Sequence, residues 1–401
     1  MRDPSRVRVD GPLALHADGF RAELLQRGYA PVTVALHLQL MAHVGRWLAG
    51  QGLDAHALTS PVVDTYLRER RAAGYVNNRS IRGLAPLLDY LRRREVVPWP
   101  VPSEESPTEH LLSRYARYLA GERGLVEGTV HRNVDLVRPF LTGMGTAGDV
   151  DLRGLAAGDI TGFVVAYCQS PKRATAPRMT TALRSLLRFL HVEGFIDRPL
   201  VDAVPSVAAW KLAGLPKSLR AEQVAQLLAS CDGSTPVGRR DYAILTVLVR
   251  LGLRAGEVAA LRLDDIDWRR GEITVRGKGN RHERLPLPTD VGQAIVSYVS
   301  ADHPAPAGRE VFARVRAPHG PLTRLAVTQV VAGAARRAGF EPIYAHRLRH
   351  TAATGMLRAG GSLAEIGQVL RHRHVLTTAI YAKTDVEALR VLARPWPGGA
   401  A

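Results

Sequence analysis

Basic and aromatic side chains that can bind phosphate and transfer protons are concentrated near the C-terminal end of the chain. The candidates between positions 344 and 381 are His346, Arg349, His350, His372 and Tyr381. Glu365 is the single acidic residue of this segment. Because residues three and four apart share one face of a helix, His346, Arg349 and His350 are predicted to point the same way. The segment therefore predicts a cationic, proton-transferring surface with a tyrosine at its end.

Glycine and capping residues divide the same segment into successive helices. Gly360 and Gly361 are predicted to end the first helix, and Ser362 with Glu365 is typical of a capping box that begins the next one. His372 and Tyr381 are therefore predicted to lie on separate elements.

These residue types suit the cleavage of a phosphodiester without a metal ion or cofactor. Such a reaction needs a nucleophile held in line, cations on the non-bridging oxygens and an acid for the leaving oxygen. Tyrosine suits the first task, arginine the second because its planar fork donates two hydrogen bonds, and lysine the third because neighbouring cations can lower its pKa.

Composition favours a polyanionic partner. The 401 residues carry 54 Lys+Arg against 37 Asp+Glu, which gives a formal charge of +17, and the pI is near 10.5. Nucleic acid is the first candidate, and an arginine-biased proteome is the alternative. Residues 313–373 contain ten arginines and two acidic residues, and such clustering favours a binding face over diffuse bias.

Metal, disulfide and membrane functions have little support in the sequence. Cys168 and Cys231 have no metal-ligand spacing and fit a reducing cytosol. His346 and His350, four apart, could begin a zinc site, but no third ligand is spaced to complete it, and we expect no metal. We find no apolar run long enough to span a bilayer, and we expect a cytoplasmic protein.

The N-terminal half contains an apparent internal repeat. RGYAPVTV at 27–34 matches RGLVEGTV at 123–130, residues 57–67 match 154–164, and residues 87–91 match 186–190, with offsets of 96, 97 and 99. Ordered matches at a nearly constant offset predict two copies of one all-helical module, although amphipathic bundles also align by chance.

Proline-rich segments set the predicted domain boundaries. The chain is predicted to comprise an N-terminal helical module at 1–95, a linker at 96–106, a second helical module at 107–204, a linker at 205–217, a third domain at 218–384, and a C-terminal helix and tail at 385–401.

The third domain is predicted to be mainly helical with a small β-structure. Residues 240–252 predict a buried helix, and Arg254 is predicted at the start of the next one. EITVRG and HERLPL flank a turn that carries Lys278, which indicates a hairpin. Further helices are predicted at about 322–338 and 346–358. The fold class is therefore mainly α with a small antiparallel β-sheet, in a multi-domain chain.

Four motifs in order resemble the catalytic domain of tyrosine recombinases, the phage-integrase-like family. GLRAGEV at 252–258 is similar to the first arginine motif of that family, and VRGKGNRHERLPL at 275–287 to its lysine hairpin. HRLRHTAAT at 346–354 is similar to its His-x-x-Arg motif, and LRHRHVLTTAIY at 370–381 to its last motif. Residues 107–204 are similar to its core-binding, SAM-like DNA-binding domain.

The resemblance implies a role for each matched residue. Tyr381 would be the nucleophile, Lys278 the general acid, Arg254 and Arg349 the phosphate clamp, His346 an aid to proton transfer, His372 a hydrogen-bond donor to a phosphate oxygen, and Glu257 a carboxylate that orients the cations. His350 is predicted to be structural or phosphate-facing. Arg371 departs from the family, which commonly has glycine before the histidine.

The family also implies a biological assembly. Double-stranded DNA is the expected partner, and the expected complex is a homo-tetramer on paired sites or one shared with a related recombinase, associated with the nucleoid. Residues 385–401 are predicted to contain a helix exchanged between neighbours. The alternatives are a non-catalytic DNA-binding or architectural protein of the same fold and a DNA-relaxing enzyme like the type IB topoisomerases.

Overall fold

The computed structural model describes residues 4–100, 106–144, 152–171, 173–207, 218–277, 282–302, 309–372 and 375–381. By its internal contacts the chain divides into two compact units, one formed by residues 1–99 with 212–401 and the other by residues 100–211. Within the described ranges, we find no helix that is both long and apolar enough to cross a membrane.

Four helices form the N-terminal segment: α1 (Ala17–Gln26), α2 (Pro31–Gly50), α3 (Ser60–Ala72) and α4 (Ile81–Arg93). Pro31 is the first residue of α2, where its missing N–H and fixed φ are no disadvantage. The apolar faces of these helices enclose their own core, which includes Phe20, Leu38, Met41 and Leu91.

Four more helices form the second segment: α5 (Pro107–Gly121), α6 (Glu127–Met144), α7 (Ala157–Gln169) and α8 (Ala176–Val192). Their core is centred on Tyr115, Phe140, Leu186 and Phe189. The two segments are all-helical in their described parts, as the sequence indicates. Duplication of one module and the exact domain boundaries stay predictions.

The remainder begins with helices α9 (Ala221–Ala229), α10 (Pro236–Leu251) and α11 (Ala255–Ala259). Strands β1 (Ile266–Asp267), β2 (Glu272–Arg276) and β3 (His282–Pro286) then form an antiparallel sheet in the order β1-β2-β3. Val275 pairs with Glu283 and Ile273 with Leu285, and alternate side chains along β2 are buried. The predicted hairpin is thus confirmed, while its tip, residues 278–281, lies outside the described residues.

Five helices complete the described chain: α12 (Thr289–Asp302), α13 (Arg324–Arg337), α14 (Ala345–Arg358), α15 (Leu363–Val369) and α16 (Val375–Ala379). The capping box is confirmed, since Ser362 Oγ accepts from the Glu365 N–H and Glu365 Oε2 accepts from the Ser362 N–H at 2.8 Å. The predicted C-terminal exchange helix lies outside the described residues.

Gly252 determines how closely α10 approaches the C-terminal helices. It adopts the left-handed conformation, with φ of 60°, directly after α10. A Cβ at this position would lie 2.7 Å from a methyl carbon of Leu370 and 3.3 Å from Ala352 Cβ. Both the backbone conformation and the lack of space therefore require glycine.

Candidate active site

Five of the predicted site residues, Arg254, Glu257, His346, Arg349 and His372, meet at one open cleft of about 1790 Å³. We call it the cationic cleft and define it by the lining residues Arg254, His346, Arg349, Arg371 and His372. Arg276 and Arg324 line it as well. Residues from five helices, two strands and the intervening loops thus converge, although Arg254 and His372 are far apart in sequence. The gathering of cations at one surface is what an anionic ligand requires.

Glu257 holds Arg254 in place. Arg254 is the N-cap residue of α11, as the sequence predicts, and its backbone N–H donates to Glu257 Oε2 at 2.8 Å. Its guanidinium donates to Glu257 Oε1 at 2.7 Å and to the Arg371 carbonyl at 3.3 Å. The side chain is 47% exposed, so part of this fixed, charged fork faces the cleft.

Arg371 occupies the other side of the same carboxylate. It donates to Glu257 Oε2 at 2.7 Å and to the Val369 carbonyl at 3.0 Å, and its side chain is 4% exposed. Burial alone would raise the pKa of Glu257, but the charge of Arg371 and the hydrogen bonds from Arg254 outweigh burial and lower that pKa. Glu257 is therefore a buried anion shared by two arginines.

The backbone at position 371 has a conformation that glycine adopts more easily than other residues. Arg371 has φ of 55°, a conformation that costs a non-glycine residue about 1 kcal/mol or more. The ion pair to Glu257 offsets that cost.

Arg349 is held by main-chain carbonyls. It projects from α14 and is 2% exposed, and it donates to the carbonyl oxygens of Gly252, at 2.5 Å, and Leu370. Burial and the charge of Arg254 lower the pKa of its guanidinium to about 10, so Arg349 remains charged at neutral pH.

Three histidines surround the cleft and the tyrosine. The rings of His346 and His350 lie 4.3 Å apart on α14. His346 is solvent-exposed, yet the protein atoms packed around its ring, together with Arg349 and Arg254, lower its pKa. Burial and nearby positive charges lower the pKa of both His350 and His372 to about 4. All three are therefore neutral at pH 7.

Tyr381 lies in a separate compartment, which we call the tyrosine pocket and define by Ala353, Ile366, Leu370 and His350. Tyr381 packs with the three apolar residues and is 2% exposed. Its hydroxyl lies 2.9 Å from His350 Nδ1. Burial raises the pKa of the phenol, with Arg349 opposing that shift. The hydroxyl is thus protonated and shares a hydrogen bond with the neutral histidine.

His372 connects the two compartments. Its ring lines the cleft and stacks on Tyr381 at a centroid separation of 6.4 Å with an interplanar angle of 8°. His372 Nδ1 is 2.7 Å from Thr378 Oγ1, which fixes the ring plane.

The structure therefore gathers Arg254, Glu257, His346, Arg349, His372 and Tyr381, whereas Lys278 lies outside the described residues. Sequence reasoning missed the contact of His350 with the nucleophile candidate and the ion pair of Arg371 with Glu257. The position of His350 next to Arg349 was an available signal for the first. The ion-pair partner of Arg371 could not be recognised, because Glu257 is 114 positions away in sequence.

The assembled groups can bind a phosphate and deliver a nucleophile to it. Two fixed guanidiniums supply charge, neutral imidazoles supply proton donors and acceptors, and a tyrosine lies behind one of them. Within the described part of the chain, no cluster of three or more His, Cys, Asp or Glu residues that could hold a metal ion is found.

Comparisons with known proteins identify the same two regions. Residues 217–388 match the phage integrase family, and residues 112–194 match the phage integrase N-terminal SAM-like domain.

Relatives extend the match to nearly the whole chain. The Sinorhizobium fredii protein y4rA, which is named as an integrase/recombinase, is 39% identical over 396 residues. These residues cover 98% of this chain and 96% of that protein. Tyrosine recombinase XerD of Listeria monocytogenes is 33% identical over 288 residues, covering 70% of this chain and 95% of XerD.

Solved structures agree on the fold. The XerH site-specific recombinase in a post-cleavage complex with palindromic difH has a TM-score of 0.56 at 18% identity, covering 73% of this chain and 98% of XerH. A lambda integrase dimer bound to a COC′ core site has a TM-score of 0.55 at 17% identity, covering 80% of this chain and 90% of the lambda integrase chain. With relatives this similar over nearly their full lengths, the chain belongs to the phage integrase family of tyrosine recombinases.

Proposed function

We propose that this protein is a tyrosine-type site-specific recombinase that cuts and rejoins double-stranded DNA through a phosphotyrosyl intermediate. One observation carries the proposal: two charged arginines and two histidines line one cleft, and Tyr381 stacks directly behind His372. Membership of the family and relatives named as recombinases and integrases support it.

The proposed cleavage step conserves the energy of the broken bond. Tyr381 Oη attacks the scissile phosphorus, its proton passes to a base, and a 3′-phosphotyrosyl bond forms as the bond to the 5′-oxygen breaks. Lys278 protonates that departing oxygen. A 5′-hydroxyl then attacks the phosphotyrosine in the reverse sense, so rejoining consumes no nucleotide and no cofactor.

The arginines supply the electrostatic part of this step. Arg254 and Arg349 would hold the non-bridging oxygens, where negative charge grows during the attack. His346 would assist proton transfer, and His372 would donate to a phosphate oxygen. Because Glu257 fixes Arg254 in advance, little reorganisation is needed when DNA arrives.

Tyr381 must move for this chemistry. Tyr381 is not one of the described residues that line the cleft. Its hydroxyl is hydrogen-bonded to His350 instead. We therefore propose that DNA binding draws α16 and Tyr381 toward the cleft.

We further propose that the reaction takes place in a tetramer on two paired sites, at the nucleoid in the cytoplasm. A lambda integrase tetramer bound to a Holliday junction has a TM-score of 0.53 to this chain at 18% identity. Residues 385–401 would exchange between neighbours. Their deletion should abolish synapsis, and unchanged synapsis and cleavage would contradict the exchange.

The central test uses nicked DNA that carries a candidate recombination site. The nick lets the short fragment that carries the released 5′-hydroxyl diffuse away and traps the covalent complex, which is visible as a protein–DNA adduct on a denaturing gel. We expect an adduct from the unaltered chain and none from Tyr381→Phe, with equal DNA affinity for both.

Other outcomes identify the alternatives. DNA binding without an adduct on any candidate site would favour the architectural protein. Relaxation of supercoiled DNA that lacks a candidate site, without recombination of paired sites, would favour the topoisomerase-like enzyme.

A further inference from the structure

Arginines gather at the turn between α3 and α4, far from the cleft in sequence. Residues 68–82, which we call the arginine turn, hold five arginines and a single acidic residue, Glu69. Every residue from 71 to 82 is exposed to solvent. A surface of this composition is either a solvated face or a binding face, and its internal contacts distinguish the two.

Hydrogen bonds tie the turn to the end of α3. Arg70 Nε donates to the Asn77 carbonyl at 3.2 Å, and Arg71 Nε donates to the Arg79 carbonyl at 3.0 Å. The Arg70 guanidinium also lies 4.1 Å from the ring centroid of Tyr75, a residue that is 43% exposed. The loop therefore has a fixed conformation, unlike an ordinary solvated charge run.

The positive charge of the turn is not neutralised from within. Among the described residues, Arg68, Arg79 and Arg82 have no carboxylate within ion-pair distance. Glu69 instead accepts a hydrogen bond from Trp47 Nε1 at 2.6 Å. Arg46 on α2 adds a further cation beside His43, whose ring contacts Tyr75.

Arg82 occupies an electrostatically unfavourable position in its own helix. It is the second residue of α4, where a positive charge opposes the partial positive charge of the helix N-terminus and costs about 0.3–1 kcal/mol. A cation at an unfavourable position is consistent with an anionic ligand.

We propose that the arginine turn binds the sugar–phosphate backbone of duplex DNA outside the segment held by the catalytic domain. This inference rests on the proposed function, because the DNA held by the cleft keeps neighbouring duplex at a high effective concentration near the turn. Planar arginine forks on a fixed loop suit phosphate oxygens, and they read no base sequence.

The exposed turn between α7 and α8 offers a parallel within the chain. Arg173, between α7 and α8, and Arg178, in the first turn of α8, are both exposed. If the two segments derive from one module, both would present cations from the same turn.

The test measures the salt dependence of DNA binding by the full chain. The probe is a random-sequence duplex of about 40 base pairs, and the double variant is Arg79→Gln with Arg82→Gln. Loss of two phosphate contacts should lower the slope of log Kobs against log salt by about two and weaken binding roughly tenfold at 0.15 M salt. Because both side chains are exposed, the fold should persist, and loss of the unfavourable Arg82 charge should raise the free energy of unfolding slightly.

A matched control removes the same number of positive charges from the same N-terminal segment. Arg8 and Arg27 each pair with a carboxylate, Asp10 and Glu23 respectively, so Arg8→Gln with Arg27→Gln should leave the slope unaltered. Equal slopes for both double variants would overturn the proposal. A normal slope combined with loss of self-association would also overturn it and assign the turn to a protein partner.

The result is separable from the proposed function. The turn variant should still form the Tyr381 adduct at saturating protein, because the cleft is intact. If the unaltered chain binds no DNA, the proposed function fails. If it binds DNA and forms the adduct with a slope that the turn variant does not change, only the inference about the turn fails.

Discussion

The cationic cleft and the tyrosine pocket are neighbours with opposite physical characters. The cleft is open, and hydrogen bonds within the chain hold its charged arginines in place. The pocket is closed and largely apolar, and it keeps Tyr381 protonated against a neutral histidine. Under the proposed function, this difference means that phosphate binding is prepared before DNA arrives and that the nucleophile is withheld until then.

The largest expected effect is that of Arg349→Ala, which tests whether the cleft is prepared by its backbone bonds. The substitution removes charge from the phosphate site and leaves two buried carbonyls without a donor. Adduct formation should fall about a thousandfold, and the free energy of unfolding should fall by about 2–4 kcal/mol. Stopped-flow cleavage and urea denaturation measure the two effects.

Arg349→Lys is the matched variant for that prediction. It keeps the charge without the planar fork and should recover only part of either loss. If Arg349→Ala lowered stability alone and left the cleavage rate of the folded protein unchanged, the cleft would have no catalytic part.

Arg371→Gly tests whether the ion pair to Glu257 positions Arg254. Glycine relieves the strained backbone but removes one of the three hydrogen bonds to the carboxylate. We expect the cleavage rate at saturating DNA to fall about tenfold, since Arg254 loses orientation and not charge.

Glu95→Gly is the control for the backbone part of that change, because Glu95 also has a positive φ, of 58°, outside the cleft and the arginine turn. Arg371→Lys should restore part of the rate. A cleavage rate equal to that of the unaltered chain in Arg371→Gly would show that Arg254 needs no help from position 371.

His350→Leu tests the hydrogen bond that holds the tyrosine. Because the buried Tyr381 hydroxyl would lose its hydrogen bond to His350, the free energy of unfolding should fall by about 1–2 kcal/mol. In a Tyr381→Phe background the same substitution should cost clearly less, and urea denaturation of the four proteins completes the cycle. Equal costs in the two backgrounds would show that the bond does not stabilise the pocket.

Near neutral pH, the smallest expected effect is a pH dependence of stability. The pKa values of His350 and His372 are lowered from 6.5 to about 4 in the folded chain, so below pH 6.5 the unfolded state binds more protons. The free energy of unfolding should therefore fall as the pH falls from 6.5 towards 4 and be insensitive to these groups above 6.5.

Thermal unfolding across that pH range checks this prediction. His350→Gln with His372→Gln should flatten the curve. His131→Gln, at a side chain that is 79% exposed, should leave the curve parallel to that of the unaltered chain. A curve equally steep in the double variant would assign the dependence to other groups.

Local signals in the sequence predicted the elements better than the contacts between them. The start of a helix at Arg254, the hairpin and the Ser362–Glu365 capping box follow from spacing within a few residues, and the structure confirms each of them. Helix α12 was not predicted, although its apolar spacing is helical.

Long-range contacts depend on packing that no local pattern encodes. The helical period places His350 on the same face as His346, but its bond to Tyr381 arises only after α15 and α16 fold back over α14. Arg371 was recognised as a departure from the family, while its partner could not be identified. The catalytic roles of the gathered residues stay predictions.

The fit around Gly252 has a consequence for mutational scanning. Any side chain there would displace Leu370 or α14, and both Arg349 and Tyr381 depend on those neighbours. In a mutational scan scored by recombination activity, substitutions at Gly252, which has no reactive group, would therefore be as damaging as substitutions at Tyr381. Sensitivity in such data would measure how closely the chain is packed as well as which groups react.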